Sequence, residues 1–413
     1  MRLLDRGSNP RESLPREVWI LATVGFLIAI GFGVMSPVLP VYARTFGVSS
    51  FLIGLVVSSL SVLRLTTMPV SSLLMRVIGP RELAIAGNAL IAVTTFMIGI
   101  ARSYWGILLW RGLSGFGSAL YGVSSMALLF AAAPPTLRGR ANAIAGGGFV
   151  LGGMAGPAIG GLIASISIHA PFFFYSATLA AAAIVMVVLL PRTPVRQRQQ
   201  LRDTTIGLVD LVKDRRFRAA IVVNFGTGWQ SNGVRAMLIP LFIVETLHKS
   251  MTWTGVAFAI AAVAQACCLP LSGWGTDRLG RRFMLLAGGS VTAMMSIGFA
   301  LTHSYLVLVL LMCVYSVGVS ATGSSAQALL ADTVPISAAS GLAAYQMAGD
   351  IGTICGPLVA GATIDVASLP WAWTFGAVII LVGVGLAWVT PRTVQPQVGH
   401  TTSLGPGGLA PAR

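Results

Sequence analysis

The sequence predicts an all-α integral membrane protein of twelve transmembrane helices, arranged as two pseudo-symmetric halves of six. Three observations predict this class. Hydrophobic residues make up 55% of the 413 residues and charged residues only 9%, whereas a soluble chain is about a quarter charged. Apolar runs of about 20 residues, the length that crosses a hydrocarbon core, recur along the whole chain. Short patterns of the first half also return about 200 positions later in the second.

The runs fall at 17–43, 50–75, 82–101, 104–131, 141–165, 171–190, 217–244, 252–274, 283–302, 304–331, 340–364 and 371–390. The first follows a polar tail, residues 1–16, and is long enough to span, so it reads as a helix rather than a cleavable signal. Runs one to six form the first half, 17–190, and runs seven to twelve the second, 217–390. Between them, 191–216 is a charged cytoplasmic linker. Ile206, Val209 and Val212 recur there at helical spacing, which predicts a short helix on the membrane surface. The tail 391–413 is rich in Pro, Gly, Thr and Gln, the composition of a disordered segment. Cys267, Cys268, Cys313 and Cys355 all fall inside spans and form no CxxC pair, so neither a disulfide nor a metal site is implied.

The net charge of +15 raises nucleic-acid binding as a first thought. The positions of the charges exclude it. With the connections numbered alternately inside and outside from an inside N-terminus, the inside segments hold nearly every cation. These include Arg2, Arg6, Arg11 and Arg16, then Arg76 and Arg81, Arg138 and Arg140, and the linker cluster from Arg192 to Arg218. The outside segments hold only Arg44, Arg102 and Lys249. This is the positive-inside bias, and it places both termini in the cytoplasm. Lys213 and Lys249 are the only lysines, an arginine bias that fits a GC-rich bacterial genome and hence the bacterial inner membrane.

The repeat is specific. Pro135 returns as Pro335, Gly152 as Gly352, Gly156-Pro157 as Gly356-Pro357 and Gly161 as Gly361, each 200 residues on. Around the second and eighth spans the offset is 201, with Gly79 returning as Gly280 and Arg81 as Arg282. Six helices per half give both repeats one orientation, related by an axis along the membrane normal, which puts a substrate site near the midplane between the halves.

Three motifs carry chemistry. After the eighth span comes Gly273-Trp-Gly-Thr-Asp277-Arg278-Leu-Gly280-Arg281-Arg282. Gly273 allows close helix approach, Asp277 can cap a helix or pair with an arginine, and Gly280 permits a tight turn. The first-half copy has Ser72 and Arg76 at the Gly and Asp positions, so it cannot make an acid-mediated latch. The fifth span carries Gly148, Gly152, Gly156, Pro157, Gly160 and Gly161, a groove for a neighbouring helix with a kink point in it. The fourth span carries Arg111-x-x-Ser114-Gly115-x-Gly117.

Over residues 17–390 these motifs resemble those of the major facilitator superfamily, and particularly its twelve-helix drug:proton antiporters. The resemblance implies that the 273–282 loop is a cytoplasmic gating latch and that the fifth-span glycines are the antiporter motif. Tight packing alone is the competing reading of those glycines. Arg111 matches an arginine that the family associates with proton coupling, with Ser114 replacing the usual Gln. The family's architecture lines the cavity with the first, fourth, seventh and tenth helices. It thereby implies a wall of Phe32, Met35, Arg111, Asn224, Gln230, Asn232 and Arg235.

Ionisable residues at membrane depth cost several kcal/mol and are functional candidates by default. Here they are Arg64, Arg111, Arg235 and a single carboxylate, Asp350. Desolvation favours the protonated carboxyl and a nearby guanidinium the carboxylate, so Asp350 is the candidate proton carrier. A structural ion pair that only locks two helices is the other reading. Arg64 and Asp350 both lie roughly 15 Å from the cytoplasmic end of their helices. In the family those helices face one another across the halves, which predicts contact.

Proton-coupled efflux of a small amphipathic molecule therefore leads, with the proton gradient as energy source and no cofactor or metal. Three arginines against one aspartate disfavour a dedicated cation pump. Coupled uptake or facilitated transport of a small anion or nutrient is the alternative, and lipid transport needs a lateral opening. A membrane enzyme would need converging nucleophile and base groups, and the sequence offers none. A sensor would need an output domain. Both halves of a carrier lie in one chain, so a monomer bathed in membrane lipid is expected.

Overall fold

The structure is a computed structural model, and it describes residues 14–134, 137–191, 213–333 and 339–388. The predicted linker helix, the C-terminal tail and the Pro135–Pro335 match lie outside the described residues. Every element among the described residues is helical. Ten helices are long and apolar enough to cross a membrane, and Leu369–Gly385 is a shorter apolar stretch.

The spans follow the apolar runs closely. The second to sixth are Ser50–Ile78, Pro80–Gly99, Tyr104–Ala132, Arg138–Ile166 and Ala170–Leu189. The eighth to twelfth are Met251–Arg278, Arg281–Leu301, Tyr305–Thr333, Ala339–Val366 and Leu369–Trp388. Two spans depart from a single α-helix. The first breaks into Arg16–Met35 and Val38–Arg44, because Pro37 has no N–H to continue the ladder. The seventh runs from Arg215 to Thr246 but changes twice to π geometry, at Gly228–Val234 and Phe242–Thr246. Such turns widen a helix locally and are frequent at functional sites.

One end of the bundle carries the start of the first span and the end of the twelfth. We call it the terminal face, and the opposite end the far face. The first six spans build one buried core, the last six another. The halves meet toward the far face. There Ala43 and Ile53 of the first half are buried in the second half's core, and Met251 packs against the first. The second span lies along the eleventh and the fifth along the eighth. Toward the terminal face the halves part: a side chain at Gly146, Gly147 or Gly273 would meet nothing within 4 Å. The carrier is thus closed on the far face and open on the terminal one.

The fifth-span glycines do form a groove, and the first helix fills it. A methyl at Gly148 would lie 2.6 Å from the Ala22 carbonyl oxygen, and one at Gly156 2.6 Å from the Gly33 Cα. Gly160 meets the Val34 backbone the same way. In the eleventh span Gly352 and Gly356 receive the seventh-span backbone at Phe225 and Trp229. The loop after the eighth span turns at Gly280, whose φ of 93° a side chain would strain, and its repeat Gly79 turns at φ 105°.

Candidate functional site

Three groups of side chains occupy the membrane interior between or beside the halves. The first joins them. Asp350 in the eleventh span and Arg64 in the second form an ion pair, Nη2 donating to Oδ1. It lies at the terminal end of the seam along which these helices touch. Just toward the far face, Ser58 Oγ donates to the Ile354 carbonyl at 2.8 Å. Both charged side chains are largely removed from solvent, Arg64 being the more exposed. The two candidates expected to meet are therefore in contact.

The second group sits in the first half. Arg111 is buried, and its Nη1 points toward the Met35 sulfur at 3.9 Å, a weak acceptor. Its guanidinium stands 5.9 Å from the centre of the Phe32 ring, which packs edge-on against Tyr175. Arg64 lies within electrostatic reach of Arg111. No carboxylate pairs with Arg111 among the described residues, and its Nε is buried without a hydrogen-bond partner.

The third group is in the second half. Arg235 opens the α-helical segment that follows the first π stretch, and stands 5.4 Å from the ring centres of both Phe258 and Tyr315. The Tyr315 hydroxyl lies 2.8 Å from Ser231 Oγ. Arg235 Nε is also buried and unpartnered. Asn232, on the same turn, remains exposed.

Two expected wall residues lie elsewhere. Gln230 is fully buried inside the second half, donating to Ser296 Oγ at 2.8 Å and touching Gly376 of the twelfth span. It joins the seventh span to the ninth and twelfth within the second half rather than facing the first half. Asn224 donates to the Tyr345 carbonyl at 2.6 Å, which ties the seventh span to the eleventh. Gly273 is the third correction: among the described residues nothing lies within 4 Å of a side chain placed there. In the same loop Asp277 lies within electrostatic reach of Arg281. Arg281 donates to the Ala328 carbonyl at 2.9 Å, and Arg278 stacks over Trp274 and Arg282 over Trp388.

Sequence reasoning missed Tyr175, Phe258 and Tyr315, the rings around the two arginines; aromatic residues in an apolar span carry no signal of their own. It also missed the far-face contacts. Arg44 makes a two-point ion pair with Glu245, Nε to Oε1 at 2.7 Å and Nη2 to Oε2 at 3.2 Å. Asp365 accepts the backbone N–H groups of Ser50 and Phe51 at 2.9 and 2.8 Å. A carboxylate of the second half thus caps the second span of the first. The repeat held a signal for the ion pair, because Arg44 and Glu245 stand 201 residues apart.

The Major Facilitator Superfamily model matches residues 21–232 and again 220–406. Multidrug resistance protein 1 of Bacillus subtilis is 25% identical over 398 residues, covering 91% of this chain and 97% of its own length. An uncharacterized MFS-type transporter of Methanocaldococcus jannaschii, MJ1560, is 23% identical over 382 residues, 90% of this chain and 97% of its own. The crystal structure of the nucleoside transporter NupG superposes with a TM-score of 0.72 at 16% identity, covering 90% of this chain and 98% of that one. That likeness shows the shared fold. Matched along nearly its whole length to carriers rather than catalysts, the chain is a transporter and belongs to the Major Facilitator Superfamily.

Proposed function

We propose that the protein exports small amphipathic molecules across the bacterial cytoplasmic membrane in exchange for protons, by rocking its two halves around a central site. The arginine-rich connections lie toward the terminal face, which supports placing that face in the cytoplasm. The structure is then the inward-open state, able to receive substrate from the cell. Relatedness to a multidrug resistance protein supports small-molecule export.

The observation that carries the coupling is the Arg64–Asp350 pair, because it joins the two halves across the seam that must part when the far face opens. Held by Arg64, Asp350 is a carboxylate. Once the seam parts, Asp350 loses its counter-charge in a low-dielectric setting and takes a proton from outside. When the halves return, Arg64 displaces that proton toward the cytoplasm. A breakable buried pair of this kind biases two states of one protein. The proton gradient is the energy source, and one chain holds every part of the cycle.

Uptake or facilitated passage of an anion is the second reading, favoured by the arginine excess in the interior. The test is proton movement in inverted vesicles with an acid interior. Neutral, anionic and cationic compounds are added to wild type and to Asp350→Asn. Export by exchange predicts that some compounds release protons through wild type and none through the variant. A variant that responds like wild type removes Asp350 from coupling. Silence across a broad panel moves uptake or facilitation ahead.

A further inference from the structure

We infer that Arg111 and Arg235 form one binding site, split between the halves, for an amphipathic organic anion that bears a carboxylate and an aromatic ring. The inference rests on the transporter reading above and deepens it by naming the substrate class.

Both guanidiniums lie in the membrane interior, where an uncompensated charge is costly. The one carboxylate at that depth, Asp350, is engaged by Arg64. Among the described residues Arg111 and Arg235 make no ion pair, and each keeps a buried Nε with no acceptor. Buried polar groups in native proteins are nearly always satisfied, and an unsatisfied one calls for a partner. An anion is the partner that fits, since the guanidinium fork matches a carboxylate in two-point geometry.

Placement makes the two arginines one site. Arg111 touches Met35, and an offset of 200 carries Gly33-Val34 onto Gly233-Val234, Pro40 onto Pro240 and Met35 onto Arg235, before the second π stretch raises it to 201 at Arg44 and Glu245. The first guanidinium therefore sits at the junction of the first and fourth spans, and the second at the equivalent junction of the seventh and tenth. Equivalent positions in two halves related by a membrane-normal axis share one depth and face that axis from opposite sides.

The surroundings select the rest of the ligand. Phe32 and Tyr175 flank one arginine, Phe258 and Tyr315 the other. Phe32 keeps 36% of its surface open, so a ring can stack on it. A cationic compound would face two like charges, and a neutral one would leave both guanidiniums unpaired.

The test is equilibrium dialysis of purified full-length protein in lipid nanodiscs, with no gradient, against 1-naphthoate, 1-naphthamide and 1-naphthylmethylammonium. Naphthoate is expected to bind at least tenfold tighter than the amide, with no measurable binding of the cation. Arg235→Gln and Arg111→Gln should each weaken naphthoate at least tenfold while leaving the amide unchanged. Should either glutamine variant fail to fold, Arg235→Lys and Arg111→Lys replace it, keeping the charge but losing the fork, with a smaller loss expected. Equal binding of acid and amide, absence of naphthoate binding, or variants that bind naphthoate like wild type each overturn the site. If naphthoate binds yet no compound moves protons, the coupling falls and the site stands. If protons move with other compounds and naphthoate does not bind, the site falls and the coupling stands.

Discussion

The halves meet along two seams that the internal repeat makes equivalent, and the two are built differently. In both, a glycine of one half rests on the carbonyl of a proline in the other: Gly54 on Pro357, and Gly255 on Pro157. In both, a glycine one turn further on meets the facing backbone, Gly361 at Ser50 and Gly161 at Gly255. Beyond that shared frame the seam of the second and eleventh spans is polar. It adds the Arg64–Asp350 pair, the Ser58 hydrogen bond and the Asp365 cap. At the repeat positions the seam of the fifth and eighth spans has Gln265, Val150, Ala259 and Ser165. Ser165 bonds only within its own helix, at 2.7 Å to Leu162. One seam is therefore a smooth pivot held by close backbone contact. The other holds groups that can gain or lose a proton or a charge partner. Duplication supplied two equal frames, and the Arg64–Asp350 pair lies along one of them.

The largest expected effect comes from breaking the smooth seam. A methyl at Gly161 would lie 2.6 Å from the Gly255 Cα, backbone that cannot move aside alone. Over-packing of this kind costs about 1–3 kcal/mol, a shift of roughly 5- to 150-fold between two states. Gly161→Val should therefore open the far face. The measurement is the pulsed EPR distance between labels at Ser167 and Ser250, with the four native cysteines replaced. Gly147→Val is the control on the same helix, since its side chain would meet nothing within 4 Å. If both valines left the distance unchanged, contact between glycines would not be what holds this seam.

The middle effect comes from making the polar seam resemble the smooth one. Asp365→Ser writes in the residue that the repeat has at Ser165. Two helix-start N–H groups lose their carboxylate, and loss of a helix cap costs about 0.5–2 kcal/mol. The far ends of the second and eleventh spans should separate in a several-fold larger fraction of molecules, read from labels at Thr45 and Ala367. Asp365→Asn, which keeps a good capping group, should recover most of the closure. If Asn and Ser behaved alike and unlike wild type, the negative charge would matter more than the cap.

Much of this was legible in the sequence, for reasons that differ by level. Span positions were readable because a bilayer demands an apolar length, and the observed helices start and stop within a few residues of the apolar runs. The Arg64–Asp350 contact was readable because the two residues lie at one depth and the family resemblance implies that their helices face one another. The glycine groove was readable because four-residue spacing puts small residues on one helix face. Gln230 was misplaced because the resemblance names which spans line the cavity and not which face of each span does so. The rings around Arg111 and Arg235 were invisible because an aromatic residue in a span looks like any other apolar one. Asp365 drew no notice because it lies at a span end and not at membrane depth, yet a carboxylate at the end of one helix is well placed to cap the start of another.

The smallest effect belongs to an ion pair that lies on neither seam. Arg44 and Glu245 occupy equivalent positions of the two halves, 201 residues apart, and they touch. Two equivalent residues can meet only where the pseudo-two-fold axis emerges, so this pair marks the centre of the far face and closes both seams at once. Its geometry is good, with two hydrogen bonds and a third from Arg44 Nη1 to the Val48 carbonyl at 3.0 Å. Yet the side chains are 36% and 40% exposed, and solvent-exposed pairs contribute about 0.2–1 kcal/mol. A double-mutant cycle of Arg44→Gln and Glu245→Gln, read by the same far-face distances, should give a coupling in that range. High salt should erase it, since screening acts on exposed charges, whereas the Gly161 effect should survive salt unchanged. A coupling well above 1 kcal/mol that persisted in 1 M salt would mean that water is excluded from the axis. The far face would then be held chiefly at its centre, and the contrast between the two seams would matter less to closure than to coupling.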